Sequence, residues 1–305
     1  MANTFHQGEL KVQEMSGEAL IAQSRTAMIA PQIMSGVIPF LEKQALLFLS
    51  SANQAGEVWI SALLGDPGFI QVPNKTELSV LLPYVFSSKE DILFENLGEK
   101  PELGALVMDF SHRRRFRING SASLDETGIH LGVREAYGNC PKFIQRRLIH
   151  AMSPFEEVQA EQSRGVALKE SQKAWISEAD TFFLGSRSKE GKMDASHRGG
   201  KQGFVQILDN KLLRVPDYPG NSMYNSLGNI LEYPQVGLLF LDFEQGKTLQ
   251  LSGRAELQMD QNSPDDLERS GGSGRFWTFE VEKWIETKNH HKVDWELIDY
   301  SPYNP

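Results

Sequence analysis

Apolar residues in this chain come in short runs, many alternating with polar ones, and turn residues separate them. Short apolar runs bounded by turn residues are a signature of strands. They predict strands over residues 45–51, 58–63, 69–72, 78–82, 105–110, 116–119 and 128–133. A second set falls over 181–186, 203–208, 211–215, 237–243, 248–257 and 276–281, with a polar strand carrying Asp194, Ser196 and Arg198 between its first two members. Asn53-Gln54-Ala55-Gly56 and Ser188-Lys189-Glu190-Gly191 read as hairpin turns. Helical patterning is sparser. A lead-in over 1–30 holds a helix near 14–30, with Leu20, Ile21, Ala27 and Met28 on one face and His6 left on the surface. Shorter helices are expected at 39–44, 90–96, 222–231 and 171–180, the last capped by Ser171. Ser153-Pro154 followed by Glu156-Glu157 starts a helical linker over 153–180. Short strands at close spacing with few helices define a mainly β fold with helices (α+β), a barrel or a sandwich.

The pattern occurs twice. Phe48-Leu49-Ser50-Ser51 returns as Phe183-Leu184-Gly185-Ser186, and at the same spacing Gly56, Ser61, Gly65, Gly68 and Phe69 fall on Gly191, Ser196, Gly200, Gly203 and Phe204. Two residues are lost further on. Asn96, Pro101, Gly104, Asp109-Phe110, Gly120 and Ala122 then match Asn229, Pro234, Gly237, Asp242-Phe243, Gly253 and Ala255. Turn and core residues keeping register over most of each half indicate two copies of one domain, which can pack as a pseudo-symmetric pair. The 305 residues suit this. The expected division is an N-terminal domain over 1–152, the linker over 153–180 and a C-terminal domain with an extended tail over 181–305.

A net charge of -9 argues against a nucleic-acid surface, so any phosphate site must be a local cluster of Arg and Lys. The single Cys140 excludes an intrachain disulfide framework and a Cys-based zinc site. No apolar run reaches the 18 or more residues of a membrane span, and residues 1–10 lack an apolar signal core. A cytoplasmic protein is the expectation.

Candidate chemistry concentrates at Met193-Asp194-Ala195-Ser196-His197-Arg198-Gly199-Gly200. Asp, Ser, Arg and bare glycine backbone suit a flat, polar-edged, charged ligand; a tight hairpin with an exposed turn is the other reading. Cys140-Pro141-Lys142 reads as a helix start, which would set Lys142 and Arg146 near one face as an anion site; a solvated basic helix is the alternative. Arg113, Arg114, Arg115 and Arg117 form a second cationic group or an exposed strand edge. His290 and His291 are expected to be exposed, and no third metal ligand accompanies them.

At Asp194-Ala195-Ser196-His197-Arg198-Gly199-Gly200 and Gly203-Phe204-Val205 the chain resembles the pyridoxamine 5'-phosphate oxidase-like family of FMN-binding split barrels. The likeness continues through Pro216-Asp217-Tyr218-Pro219-Gly220-Asn221, Asn229-Ile230, 237–243 and Leu251-Ser252-Gly253-Arg254-Ala255. The stretch 137–147 resembles the first half of two-barrel members. Tyr300-Ser301-Pro302-Tyr303-Asn304-Pro305 resembles the junction that, in fused relatives, precedes a flavin and iron–sulfur reductase module. The resemblance implies two tandem FMN-binding split β-barrels forming a pseudo-dimer, with FMN in the groove between them.

The copies differ: Asp194, His197 and Arg198 stand where the first copy has Trp59, Ala62 and Leu63. One complete site is therefore expected. The second copy would supply Asp194, Ala195, Ser196, His197, Arg198 and Gly199 with Asn221, Asn225 and Asn229; the first would supply Lys142 and Arg146. The resemblance also implies an FMN-dependent oxidoreductase acting on a small-molecule substrate, fed by a separate reductase or a nicotinamide. Its alternatives are a flavin-binding protein without turnover and a barrel pair without cofactor. The chain would be a monomer with a pseudo-dimer, or a homodimer. The family's substrate-binding signature is missing, and no catalytic acid or base stands out beyond His197.

Overall fold

The computed structural model describes residues 4–153 and 160–305. The first part holds α1 (Gln7–Met15), α2 (Ala19–Ser24), α3 (Ile38–Glu42), β1 (Leu46–Ala52), β2 (Val58–Leu64), β3 (Ile70–Asn74), β4 (Glu77–Leu81), α4 (Ile92–Glu99), β5 (Glu102–Asp109), β6 (Arg114–Leu124), β7 (Gly128–Gly138) and β8 (Arg146–Ser153). The second holds β9 (Glu161–Gly165), α5 (Glu170–Glu178), β10 (Thr181–Arg187), β11 (Met193–Gly199), β12 (Gln206–Ile207), β13 (Leu212–Pro216), α6 (Asn225–Glu232), β14 (Gln235–Asp242), β15 (Lys247–Gln258), α7 (Pro264–Arg269), β16 (Phe276–Lys288) and β17 (Lys292–Asp299).

Most strands form two open antiparallel sheets, and β8 and β17 pair as a third of two strands. The orders of the two large sheets are β2-β1-β5-β6-β7-β4-β3 and β11-β10-β14-β15-β16-β13-β12, the same order with each strand advanced by nine, and β9 is added to β16. A bulge interrupts β6 at Asn119/Gly120 and β15 at Ser252/Gly253, the same place in each sheet. The fold is mainly β with helices, and neither sheet closes.

Both faces of β1, β2, β10 and β11 are buried, because the other sheet covers the outer face. Leu47, Leu49 and Leu63 face their own core with Phe116 and Ile118. Phe48, Ala62 and Leu64 turn the other way and meet Phe183, Ala195, Leu239 and Leu241 across the sheet-to-sheet contact. Phe48 and Phe183, equivalent under the repeat, stack on each other with ring centroids 3.5 Å apart and planes 13° from parallel.

The contact is reciprocal elsewhere too. A Cβ on Gly104 would come within 2.7 Å of the Asp194 Cα, and one on the equivalent Gly237 within 2.8 Å of the Trp59 Cα. Backbone cannot yield there as a flexible side chain can. Gly104→Ala is expected to lower stability by about 1–3 kcal/mol through overpacking. Urea unfolding checks this, and an unchanged midpoint would contradict the close contact.

Several local expectations are corrected. The lead-in helix breaks into α1 and α2, and His6 is half-buried as the cap of α1, bonded to Asn229. Residues after Pro141 do not form a helix: Phe143 takes φ 66°, and the chain goes on into β8, which pairs with β17 almost 150 residues away. The linker over 153–180 is not continuous helix, since β9 precedes α5, and Lys169 rather than Ser171 occupies the cap. The helix start at Pro154, Glu156 and Glu157 lies outside the described residues. The strand expected over 203–208 shrinks to Gln206–Ile207. His290 and His291 are buried, not exposed, with His290 Nε2 2.9 Å from the Ala62 carbonyl oxygen.

Candidate functional site

Strand alternation builds the site. Phe116 and Ile118 point from β6 into the first core, so Arg115, Arg117 and Asn119 project from the opposite face, against β11 of the other sheet. On β11, Ala195 turns to the sheet-to-sheet contact, while Ser196 turns toward α6 and bonds Ser226 at 2.8 Å. The two strands thus bring a row of cations against a row of small polar groups.

Arg117 is the hub. Its guanidinium forms an ion pair with Asp194 at 2.9 Å and donates to Tyr137 Oη at 2.9 Å, Ser196 Oγ at 2.5 Å and Asn225 Oδ1 at 3.3 Å. Burial pulls its pKa down, but Asp194 and Tyr137 outweigh that and the net shift is upward. Arg115 and Arg198 have no such counter-ion. Arg115 donates to the Cys140 carbonyl at 2.9 Å and to His197 Nδ1 at 3.0 Å, and Arg198 to the His197 carbonyl at 3.3 Å. Burial, then the neighbouring Arg117 and Arg198, push Arg115 down to about 9. Burial likewise lowers Arg198, against the pull of Asp217. Asp217 is itself paired with Arg275 at 3.1 Å.

These groups surround a cavity of about 100 Å³, bordered also by Asn139, Phe143, Tyr218 and Asn221. Its unpartnered buried groups include four nitrogens: Arg117 Nε, Asn139 Nδ2, His197 Nε2 and Arg198 Nε. Since Arg115 donates to Nδ1, His197 carries its proton on Nε2, so all four are donors. Burial and the three nearby arginines Arg115, Arg198 and Arg147 push the His197 pKa well below the usual range, so the ring is neutral. A pocket of spare donors with two uncompensated guanidiniums is built for an anion.

The loop at its edge is held by the buried Gln145. That amide donates to the Gly200 carbonyl at 2.9 Å and accepts from the Ser301 N–H at 2.7 Å, which ties the C-terminal segment to the cavity wall.

The counterpart place in the first sheet is different. Trp59, Ile92 and Ile285 fill it as an apolar cluster where the second sheet's surroundings have Asp194, Asn225 and Tyr137. Thr248 and Gln250 stand in the places of Arg115 and Arg117, and Gln250 is spent on Ile60 O and Ser61 Oγ, both at 3.0 Å.

Of the residues singled out in the sequence, Ser196, His197, Arg198, Gly199, Asn221 and Asn225 border the cavity. Asp194 and Asn229 border a neighbouring one. Ala195 is in the interface core. Lys142 and Arg146 are not brought to either: Lys142 lies 5.5 Å from the Tyr303 ring centre, and Arg146 pairs with Asp299 at 2.8 Å. Their place is taken by Arg115 and Arg117, whose alternation on one strand was the available signal. Tyr137, Asn119 and Ser226 carried no signal in the sequence.

Two open antiparallel sheets with helices across their edges, meeting at a cation-lined cavity, define the class of the protein. Residues 168–294 match the family described as Pyridoxamine 5'-phosphate oxidase. Solved structures resemble part of the chain only loosely. A putative pyridoxamine 5'-phosphate oxidase from Lactobacillus delbrueckii is 17% identical, covering 39% of this chain and 93% of its own, with a TM-score of 0.33. A FAD-binding protein from Mesorhizobium loti is 13% identical over 43% and 100%, with a TM-score of 0.31. HutZ, a heme storage protein from Vibrio cholerae, is 15% identical over 45% and 99%, with a TM-score of 0.27. No curated protein matches the chain. Among the described residues, no helix is long and apolar enough to cross a membrane.

Proposed function

We propose that the chain is a pair of tandem split barrels, packed as a pseudo-dimer, that binds one FMN in the cavity between β6 and β11 and acts as an FMN-dependent oxidoreductase. The observation that carries this reading is the charge count: three guanidiniums converge, and only Arg117 has a carboxylate bonded to it. Two uncompensated cations match a phosphate dianion. Arg115 and Arg198 would hold the phosphate, with Asn139 Nδ2 and Arg198 Nε as further donors. The flavin, when bound, supplies the redox chemistry. The protein binds it, orients it and keeps His197 neutral beside it. His197, with its lowered pKa, is not a proton donor at neutral pH. This same observation favours, as the second reading, a protein that holds flavin without turnover.

The visible spectrum of the purified protein after FMN is added and the excess removed tests the binding. Retained flavin bands support it. A colourless protein, or one that takes haem with a Soret band and refuses flavin, overturns it. Arg198→Gln and Arg115→Gln are each expected to cost FMN about 1.5–3 kcal/mol, roughly ten- to hundred-fold in Kd. Riboflavin, which lacks the phosphate, should be almost unaffected. Equal losses for both ligands would remove the phosphate assignment. Reduction by a nicotinamide followed by substrate-dependent reoxidation separates an oxidoreductase from a carrier.

A further inference from the structure

The Arg117–Asp194 pair is also a partition. On its far side lies a second cavity, of about 120 Å³, between α1 and the β6–β7 and β11 strands. Only Asn225 borders both spaces. The first cavity is edged by unpaired donors; this one is edged by acceptors. Glu9, Glu135 and Asp194 line it, with Asn119 between them.

Asn119 supplies the deciding detail. Its Nδ2 donates to Glu135 Oε2 and to Asp194 Oδ1, both at 3.3 Å. Two carboxylate acceptors fix the orientation of the amide. Its Oδ1 is left without a partner on a side chain that is 4% exposed. A buried carbonyl oxygen without a hydrogen bond costs free energy, and a ligand N–H would remove that cost. Arg117 already pairs with Asp194, and the His6 ring lies 3.6 Å from Glu9 and 3.1 Å from Glu232. Lys192 lies at the exposed rim beside Glu190. Burial raises Glu9 to about 7, against the pull of His6 and of its bonds to the His6 N–H and Asn225, with Glu135 adding to the rise. Among the described residues, Glu135 is left with no ion-pair partner, its side chain bonded by Asn119.

A metal ion does not suit the arrangement. Among the described residues, no three His, Cys, Asp or Glu side chains are grouped to hold one. The acceptors are spread around the cavity and need a ligand with several N–H donors.

We infer that this second cavity is a binding site for a small organic ammonium ion, held by Asn119 Oδ1 and the Glu135 carboxylate and closed over by α1. The site stands whether or not FMN occupies the first cavity, because the groups that define it are not those of the phosphate pocket.

Calorimetric titration of the full chain with n-propylammonium chloride tests this, with sodium chloride at equal ionic strength, propan-1-ol and propionate as controls. Saturable one-to-one binding of the ammonium alone is expected. Glu135→Gln should weaken it at least about ten-fold, the effect of one lost charged hydrogen bond. Asn119→Leu should do the same, and Lys192→Gln should not weaken it. Glu135 is only half-buried, so its variant keeps the test open if Asn119→Leu fails to fold. No saturable binding, equal binding of propan-1-ol, or unchanged affinity in Glu135→Gln would each overturn the proposal. FMN binding, read by absorbance on the same samples, reports separately on the first cavity.

Discussion

Replacing Arg117 with Met is expected to destabilise the protein by about 3–5 kcal/mol and to weaken FMN binding by removing a wall of the cavity. The first effect comes from Asp194, which is 4% exposed and would lose the counter-ion that faces it at 2.9 Å. A buried carboxylate stripped of its partner is costly, whereas a buried pair replaced as a unit by apolar groups is often neutral. The double variant Arg117→Met/Asp194→Leu should therefore recover most of the stability while still binding FMN weakly. Urea unfolding of the two variants, beside their flavin spectra, separates the two roles. A double variant as unstable as the single one would show that Tyr137, Ser196 and Asn225, which also bond the guanidinium, dominate its contribution.

Acidification from about pH 6 to about pH 5 is expected to lower stability by on the order of 1 kcal/mol. His197, His290 and His291 are held below the ordinary value of 6.5 chiefly by burial, and His291 falls to about 3. Their neutral forms fit the fold. The unfolded chain takes up their protons below about pH 6.5, so the stability they contribute is present above that pH and lost as pH falls. Glu9 opposes them. Its folded value of about 7 against 4.5 unfolded means that the folded chain keeps a proton the unfolded chain releases across that interval. His291 and Glu9 nearly offset each other, and the lowered His197 and His290 leave the unfolded chain binding more protons, so stability falls with pH. Both ring nitrogens of His291 lack partners, so His291→Leu should gain more stability at about pH 5 than at about pH 7. Urea midpoints that do not move between those pH values would contradict buried neutral histidines.

Much of the fold could be read along the chain, because the residues that mark it act locally. Gly104 and Gly237 sit where two backbones touch, and Phe48 and Phe183 where two sheets meet, so the repeat register carried the matching strand order. What could not be read depends on partners distant in sequence. Pro141 has the spacing of a helix start, but β8 finds β17 and the chain extends instead. Arg115 and Arg117 have the pattern of an exposed edge, and only the arrival of β11 from the other sheet turns that edge into a wall. His290 and His291 look solvated beside Lys292, yet the turn they occupy folds under β2, where His290 meets the Ala62 carbonyl. Local spacing gave the polar character of β11 but not the identity of the cations opposite it.

The apolar plug of Trp59, Ile92 and Ile285 has a consequence for titration and for mutation. In an assembly of two identical chains every substitution is made twice and every pocket comes as a pair, so occupancy of one can be felt at the other. Here the polar groups Asp194, Asn225 and Tyr137 stand on one side, and their counterparts are solid indole and isoleucine. Saturation should follow a single hyperbola, one ligand to one chain, with a Hill coefficient of about 1. Changes on the plugged side can accumulate without an echo in the pocket that works.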